Sequence, residues 1–180
     1  MADIFSPAKR SDVMARIRSR GNARTEGALV RRFRELGITG WRRQVKIPLG
    51  GSARAGSAAR KTAAKRAGAV RPDFVFPRSR LAVFVDGCFW HACPRHATRP
   101  RQNAAFWRKK LAANQTRDRQ VTRALRRAGW RVLRIWEHAL ARKQSSRLTA
   151  RLRRVFAAAG IVVSGTPPSP RRSPRRRPTR

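Results

Sequence analysis

Hydrophobic side chains recur along the chain in two different periods, which predict helices and strands. In some stretches they return every three or four positions, and Gly37 and Gly129 follow two of these stretches as helix stops. Other stretches are short and rich in β-branched and aromatic residues, as strands are. The pattern predicts helices at 9–20, 24–36, 103–127 and 145–159, and strands at 41–49, 72–76, 80–86 and 130–136.

The order of these elements predicts an α/β fold. Stretch 80–86 is nearly all apolar, as a central strand would be, and a short turn separates it from 72–76. A predicted helix then precedes strand 130–136, so we expect a mixed central sheet with helices on both faces. Helix 24–36 has Thr25 as its expected N-cap. The expected core faces of two helices are Leu29, Val30, Phe33 and Leu36 in the first, and Phe106, Trp107, Leu111, Val121 and Leu125 in the longest.

Two segments lack the residues that build a core. Residues 50–69 contain no Leu, Ile, Val or aromatic side chain, which predicts a flexible basic insertion. Residues 164–180 combine proline with many arginines, which predicts a disordered basic tail. The expected domain therefore spans residues 1–163 and is interrupted by that insertion.

The charge of the chain points to a polyanionic partner. Lys and Arg number 45 among the 180 residues and Asp and Glu only 8, which gives a net charge of +37. Nucleic acid is the first candidate, because phosphates that meet many cations release their counterions. No apolar run is long enough to cross a membrane, no secretory signal is evident, and the two cysteines are too few for a secreted disulfide scaffold. We therefore expect a cytoplasmic, nucleoid-associated protein that has no membrane partner.

The few carboxylates are informative because so many cations surround them. Asp73 precedes the strand-like stretch FVF, and Asp86 ends the stretch LAVFVD. A strand start and the end of the adjacent antiparallel strand can meet at one sheet edge, where carboxylates suit Mg²⁺. The alternative from the sequence is that Asp73 caps a turn and Asp86 pairs with an arginine.

A segment rich in cysteine and histidine predicts a zinc site. Cys88, Cys93 and His96 are spaced five and three residues apart, and His138 after strand 130–136 is the expected fourth ligand. His91 is then left as a candidate general base for hydrolysis. Two alternatives remain from the sequence: a reduced cysteine pair beside solvated histidines, or His91 as the zinc ligand in place of His96.

Aromatic side chains lie next to these candidate ligands. Phe89 and Trp90 are consecutive, and in an extended chain consecutive side chains point in opposite directions. At least one is therefore expected to face outward, where it could stack on bases or wedge between base pairs. Packing into the core is the alternative for either ring.

Several motifs together resemble the very short patch repair (Vsr) endonuclease family. The motifs are KRSDVMARIRSRGNARTE at 9–26, PDFVF at 72–76, VFVDGCFWHACP at 83–94, FWRKKLAANQTRD at 106–118 and GWRVLRIWEHAL at 129–140. The resemblance implies a restriction-endonuclease-like core, a catalytic Mg²⁺ and a structural zinc. It also implies a DNA mismatch endonuclease that nicks the strand 5′ to the T of a T:G mismatch, which arises when 5-methylcytosine is deaminated.

The same resemblance assigns roles to single positions. It implies that Asp73 and the backbone carbonyl of Val85 bind Mg²⁺ and that His91 is the catalytic histidine. His96 is offset from the family position, so its assignment as a zinc ligand rests on spacing and chemistry alone. By resemblance, Glu26, Asn114 and Asp118 are further active-site residues, Phe89, Trp90 and Trp107 intercalate beside the mismatch, and Cys88, Cys93 and His138 bind zinc.

The chain departs from the family pattern at the end of the central strand. The best-known form has Thr-His where this sequence has Val85-Asp86, so Asp86 becomes a candidate second metal ligand. Restriction enzymes place a lysine two residues after their second acid, but Cys88 stands there, which leaves His91 as the expected base. The insertion and the tail are also atypical.

These departures leave alternatives to a T:G-specific nicking enzyme. One is a restriction-type or relaxed-specificity nicking endonuclease on the same fold, and another is a non-catalytic, zinc-stabilised nucleic-acid-binding protein. We expect a monomer, because one strand is cut. The resemblance further suggests a functional link to a cytosine-5 DNA methyltransferase and to mismatch-repair proteins.

Overall fold

A computed structural model of the chain describes residues 25–49, 68–98 and 100–165. The predicted helix 9–20, most of the insertion and most of the tail lie outside these residues. The helices are α1 (Glu26–Glu35), α2 (Ala104–Arg127) and α3 (Ser145–Ala158), with 3₁₀ turns at Glu137–Leu140 and Arg142–Gln144. The strands are β1 (Arg42–Arg43), β2 (Ile47–Pro48), β3 (Ala69–Val70), β4 (Phe74–Phe76), β5 (Leu81–Asp86) and β6 (Arg131–Trp136).

The main sheet is mixed, as predicted. Its strands are ordered β1-β4-β5-β6, and β5 runs antiparallel to β4 but parallel to β6. Val83 marks the register, because it faces Phe74 on one side and Leu133 on the other. Helix α2 makes the long connection that a parallel pair requires. The apolar strand β5 is central, as its composition predicted.

Helices cover both faces of this sheet, which confirms the predicted α/β layering. On one face α1 and α3 pack over the apolar side chains of β4, β5 and β6, with Phe33 at the centre of an aromatic cluster. On the other face Leu125 of α2 packs against Val75 and Ala82. Alternating side chains of each strand supply the two cores because consecutive residues point to opposite faces.

The predicted strand 41–49 is wrong as a single strand. It divides into β1 and β2 around Gln44, which has a left-handed φ of 55°. Strand β2 leaves the main sheet and pairs with β3, and the Leu49 amide donates to the Gly68 carbonyl. Residues 68 and 69 thus belong to an ordered ribbon, so the predicted insertion extended two residues too far.

Three further expectations need correction. Phe106 is 59% exposed and is not a core residue. Helix α2 has 24 residues and extends about 36 Å, whereas a strand of six residues such as β6 extends only about 20 Å, so the first turns of α2 overhang the sheet.

Strand β6 is buried only at alternate positions because it lies at the sheet edge. Gly165 donates to the Leu36 carbonyl, so the start of the predicted tail packs on α1.

In the described ranges, none of the helices combines the length and the apolar character that a membrane span requires.

Candidate active site and metal centre

The carboxylates of the predicted metal site meet at one edge of the sheet. Asp73 immediately precedes β4 and Asp86 ends β5, and because these strands are antiparallel the two residues lie at the same end. Asp73 Oδ2 accepts a hydrogen bond of 2.7 Å from the Val85 amide. Asp86, Glu26 and His91 all lie close enough to influence the ionisation of Asp73. The predicted convergence of Asp73 and Asp86 is confirmed.

Burial and neighbouring carboxylates raise the pKa of Asp73 to about 6. Burial is the largest cause, because it disfavours the charged form. The negative charges of Glu26 and Asp86 also raise this pKa, whereas the Val85 amide and His91 lower it. An excess of carboxylate in a partly buried place is an environment that a divalent cation would relieve.

Glu26 reaches this edge from the first turn of α1. It is 3% exposed, and its carboxylate accepts a hydrogen bond from the Arg43 guanidinium of β1. A buried carboxylate needs such a partner, because an unpaired buried charge is costly. Arg43 therefore anchors a predicted active-site residue that the sequence alone left without a partner.

Asp86 is held by an arginine, which is one of the alternatives from the sequence. Arg134 of β6 donates to both of its oxygens, with Nε at 2.7 Å from Oδ2 and Nη2 at 2.6 Å from Oδ1. The Asp86 side chain is 5% exposed and the Arg134 side chain 23%. Because both oxygens are engaged in this bidentate pair, the geometry does not favour Asp86 as a second metal ligand.

Sequence reasoning missed Arg134. The signal was a charged residue between the apolar Leu133 and Ile135, in the interior of a strand. The parallel register places Arg134 opposite Phe84, two residues before Asp86. A charge in such a strand requires a buried partner, but only the strand pairing shows which one.

His91 is paired with a carboxylate of helix α2. Its Nδ1 lies 2.5 Å from Asp118 Oδ2 and 3.8 Å from Asp86 Oδ1. Asp118 Oδ1 in turn lies 3.0 Å from Arg134 Nη2. The ring nitrogen that faces Asp118 is thereby fixed, and Nε2 is the nitrogen left to face a substrate. Two of the predicted site residues, His91 and Asp118, are thus in direct contact.

Local turns hold His91 in a compact loop after β5. The His91 amide donates to Gly87 and the Cys93 amide to Cys88, with Ala92 between them in the left-handed region at φ 50°. Asn114 Nδ2 donates to the Trp90 carbonyl at 2.9 Å, so a predicted site residue of α2 fastens this loop from outside. Two backbone hydrogen bonds within the loop and one side-chain hydrogen bond from α2 therefore hold the loop in place.

The four predicted zinc ligands come together in one cluster. Their donor atoms all lie within 4.8 Å of one another. His138 Nδ1 is 3.3 Å from Cys88 Sγ and 3.5 Å from Cys93 Sγ, and His96 Nδ1 is 3.8 Å from Cys93 Sγ. Donors around tetrahedral zinc at ordinary bond lengths would be separated by about 3.6 Å. The set thus fits one zinc ion, and the alternative with His91 in place of His96 does not match the geometry.

The surroundings of the cluster suit a metal with nitrogen and sulfur ligands. Burial lowers the pKa of His138, aided by the charges of His96 and Arg95, which favours the neutral imidazole that binds metals. Burial raises the pKa of Cys88, with Cys93 and Glu137 adding to the effect. Thiols so placed need a cation to become thiolates.

The aromatic side chains form a cluster beside the histidine loop. Ring centroids lie 5.1 Å apart for Phe89 and Trp90, 5.2 Å for Phe89 and Trp107, and 6.1 Å for Trp90 and Trp107. All three are half-buried, and Phe106 adds an exposed ring 5.4 Å from Trp107. Neither Phe89 nor Trp90 is thus wholly in the core or wholly outside it, and Phe106 is a member that the sequence analysis had placed in the core.

Comparison with known proteins gives consistent relatives. A family model described as DNA mismatch endonuclease Vsr matches residues 53–96. The chain is 32% identical over 160 residues to the type II nicking enzyme V.XorIIP of Xanthomonas oryzae pv. oryzae, a match that covers 87% of this chain and 98% of that protein.

Two further relatives match over a shorter stretch. Identity is 55% over 69 residues to the type II nicking enzyme V.NaeI of Lentzea aerocolonigenes, covering 38% of this chain and 42% of that protein. It is 42% over 71 residues to the DNA mismatch endonuclease Vsr of Escherichia coli, covering 39% and 46%. The matched region thus covers less than half the length of each of these two relatives.

The family model and the matched relatives are those of DNA mismatch endonucleases and nicking enzymes, which supports the class of DNA endonucleases for this chain. Within the class, the chain belongs to the Vsr family, because V.XorIIP matches it over nearly its whole length.

Proposed function

We propose that the protein is a Mg²⁺-dependent endonuclease that nicks duplex DNA 5′ to the T of a T:G mismatch, on a restriction-endonuclease-like core. The observation that carries the proposal is the pair of His91 and Asp118, 2.5 Å apart, beside the carboxylates around Asp73. A base next to a cation site is what phosphodiester hydrolysis requires. Membership of a family described as DNA mismatch endonuclease supports the substrate.

His91 is proposed as the general base. With Nδ1 bound to Asp118, its Nε2 can accept the proton of a water that attacks the scissile phosphate. Asp118 orients the ring and stabilises the imidazolium that results. Asn114 fixes the backbone next to His91, so the base is held in place before DNA binds.

Asp73 is proposed to hold the catalytic Mg²⁺, together with the Val85 carbonyl. The Val85 amide donates its hydrogen bond to Oδ2 of Asp73 and not to Oδ1. Glu26 and Asp86 add negative charge nearby. When bound, the metal would polarise the phosphate and neutralise charge on the leaving oxygen. Hard oxygen donors with water are the ligand set that Mg²⁺ prefers.

Cys88, Cys93, His96 and His138 are proposed to hold a structural zinc. Their donor atoms match a closed tetrahedral set, which would leave no position for substrate. The bound metal would join the loop after β5 to the end of β6. Phe89, Trp90 and His91 all lie in that loop, so zinc would fix the aromatic and catalytic side chains relative to each other.

The aromatic cluster is proposed to insert beside the mismatch. Phe89 packs edge to face on both Trp90 and Trp107, and such a wedge enters a base stack at least cost where pairing is weak. Arginines bind the flanking phosphates without reading sequence.

We expect Trp107→Ala to weaken binding to a T:G duplex by about 10–100-fold, because one base-stacking ring is lost. Fluorescence anisotropy at fixed salt measures the affinity. The exposed apolar residue Val162, 78% accessible, gives a matched control, and Val162→Ala should bind like wild type. Equal affinity of Trp107→Ala and wild type for the mismatched duplex would exclude intercalation by this ring.

Asp73 predicts a pH-dependent stability in the absence of divalent cations. Its folded pKa of about 6 lies above the ordinary 3.8, so the folded state binds more protons between these values. The stability that Asp73 contributes is thus complete below pH 3.8 and lost as the pH rises through 6, about 3 kcal/mol in all.

Urea unfolding of wild type and Asp73→Asn across this range measures that effect. The asparagine oxygen can still accept from the Val85 amide, which makes it a matched control. Wild type should lose stability relative to Asp73→Asn as the pH rises, and added Mg²⁺ should restore it above pH 6. A pH-independent difference between the two proteins would contradict the assignment.

Mg²⁺-dependent nicking of supercoiled plasmid separates an enzyme from a zinc-stabilised binding protein. A panel of matched, T:G-mismatched and methylated duplexes then separates mismatch repair from restriction-type nicking, which remains the second candidate because Asp86 departs from the family pattern. We expect cleavage of the T:G duplex with Mg²⁺ and none with chelator. Equal cleavage of all duplexes would replace the mismatch proposal by the relaxed-specificity enzyme.

A further inference from the structure

We propose that Arg134 is a positioning residue that fixes the Asp118–His91 pair by joining the two carboxylates on either side of the imidazole. The proposal rests on the function proposed above, since it concerns how the same site is held. Arg134 lies in β6, away from the residues that the sequence identified, and only the strand pairing brings it to the site.

The guanidinium of Arg134 uses all of its N–H groups inside the protein. Nε donates to Asp86, and Nη2 is shared between Asp86 and Asp118. Nη1 lies 3.5 Å from both the Asp118 carbonyl and Thr122 Oγ1. An arginine has five N–H donors, and these contacts account for all of them. Arg134 therefore has no donor left for a DNA phosphate and acts through Asp118.

The aromatic ring of Phe84 fixes the plane of the guanidinium. The Arg134 Cζ lies 4.9 Å from the centroid of that ring, so the fork is held between an aromatic face and two carboxylates. A planar fork held in this way specifies the position of each acceptor. Asp118 Oδ1 is one such acceptor, which leaves Oδ2 directed at His91.

The site needs this cation because two carboxylates compete for one imidazole nitrogen. Asp118 is 2.5 Å and Asp86 is 3.8 Å from His91 Nδ1. Without a cation between them the two negative charges would repel, and either could become the partner of His91. The bidentate pair draws Asp86 towards Arg134 and leaves Asp118 as the partner. Asp86 stands where the resemblance led us to expect a histidine, so Arg134 offsets the charge that this departure introduces.

Arg134→Ala tests the proposal by cleavage at saturating enzyme. We expect the single-turnover rate to fall about 100-fold, because a misoriented base loses that much, while DNA affinity changes little. Arg131→Ala is the matched control. It removes one positive charge from the same strand, and its side chain bonds to the Ala158 carbonyl outside the site. It should cut like wild type.

Added guanidinium separates a positioning role from a structural one. A cavity of about 230 Å³ opens beside the site and is large enough to admit a guanidinium ion; it is lined by Asp118, Arg119, Thr122, Arg123, Arg126 and Arg134. Millimolar guanidinium should restore the rate of Arg134→Ala, whereas sodium at equal ionic strength should not. Arg134→Lys should recover only part of it, since an ammonium cannot bridge both carboxylates in the same way.

A second readout does not depend on cleavage. The proton on His91 Nδ1 should give a downfield NMR signal in wild type, lose it in Arg134→Ala and regain it with guanidinium. If wild type cuts no DNA but this signal behaves as expected, the proposed function fails and the positioning role stands. If Arg134→Ala keeps both the signal and the rate of wild type, the positioning role is overturned.

The double variant Asp86→Asn/Arg134→Gln covers the case in which Arg134→Ala fails to fold. It removes both charges of the pair, keeps the size of the Asp86 side chain and replaces the guanidinium by a shorter neutral amide. It should fold but cut slowly and lack the His91 signal, because nothing holds Asp118. Cleavage at the wild-type rate would show that Asp118 and His91 pair correctly without Arg134, which contradicts the proposal.

Discussion

His91→Ala is expected to cut a T:G duplex about 10³-fold more slowly than wild type, with little change in DNA affinity. The reason is that His91 is the basic side chain paired with Asp118, 2.5 Å away, beside the carboxylates around Asp73. Among the described residues, the other two of the chain's three histidines belong to the Cys–His cluster. No neighbouring imidazole is therefore placed to take over the proton.

His91→Gln is the matched variant for this prediction. Its amide can still donate to Asp118 and preserve the loop, but it cannot accept a proton at the position of Nε2. Single-turnover cleavage should be as slow as in His91→Ala, while thermal stability stays near that of wild type. If either variant cuts at the wild-type rate, another group is the base.

Cys93→Ser is expected to abolish binding of the proposed zinc and to destabilise the whole site by several kcal/mol. Cys93 is 1% exposed, and its thiolate would lie between the two histidine ligands, 3.5 Å from His138 and 3.8 Å from His96. Serine is a poor zinc ligand and would leave a buried polar group without its metal. Loss of this ligand should disorder the loop that carries His91.

Zinc content by mass spectrometry and thermal unfolding measure this effect. Wild type should carry about one zinc per chain and lose stability when it is chelated. His96→Gln offers a graded comparison, because His96 is the exposed member of the set. This variant should lower the thermal stability less than Cys93→Ser does. A Cys93→Ser protein with full zinc content and unchanged stability would contradict the metal centre.

The sequence predicted the parts of the fold that local pattern determines. The apolar run of β5 identified the central strand, and the long periodic stretch identified α2 almost to its ends. The cluster of two cysteines and two histidines was predicted because three of its members lie close together in the sequence. Asp73 and Asp86 could be placed at one edge because a short turn joins their strands.

Features that depend on distant pairing could not be predicted in the same way. Arg134 contacts Asp86 because β5 and β6 pair in a particular parallel register, and this register cannot be predicted from the sequence. Phe106 follows the helical period of a core residue, but α2 overhangs the sheet at that point. The division of stretch 41–49 depends on β3, which lies beyond a segment of about 20 residues.

Asp86 departs from the pattern of the family that the sequence resembles, and its neighbours account for the charge it adds. A carboxylate at this position adds negative charge beside Asp118, and Arg134 provides a compensating cation from the next strand. His91 and Asp118 lie 2.5 Å apart in this arrangement. The proposed chemistry therefore rests on His91 and Asp73, and Asp86 is proposed to support the site.

The most direct test compares the T strand of a T:G duplex with the same strand in a T:A duplex, with Mg²⁺ and identical flanking bases. Both strands are end-labelled and the products are mapped to the nucleotide. The account predicts one nick immediately 5′ to the mismatched T, an intact opposite strand and a much slower reaction on T:A. No cleavage of either duplex with Mg²⁺, or equal cleavage of both, would contradict it.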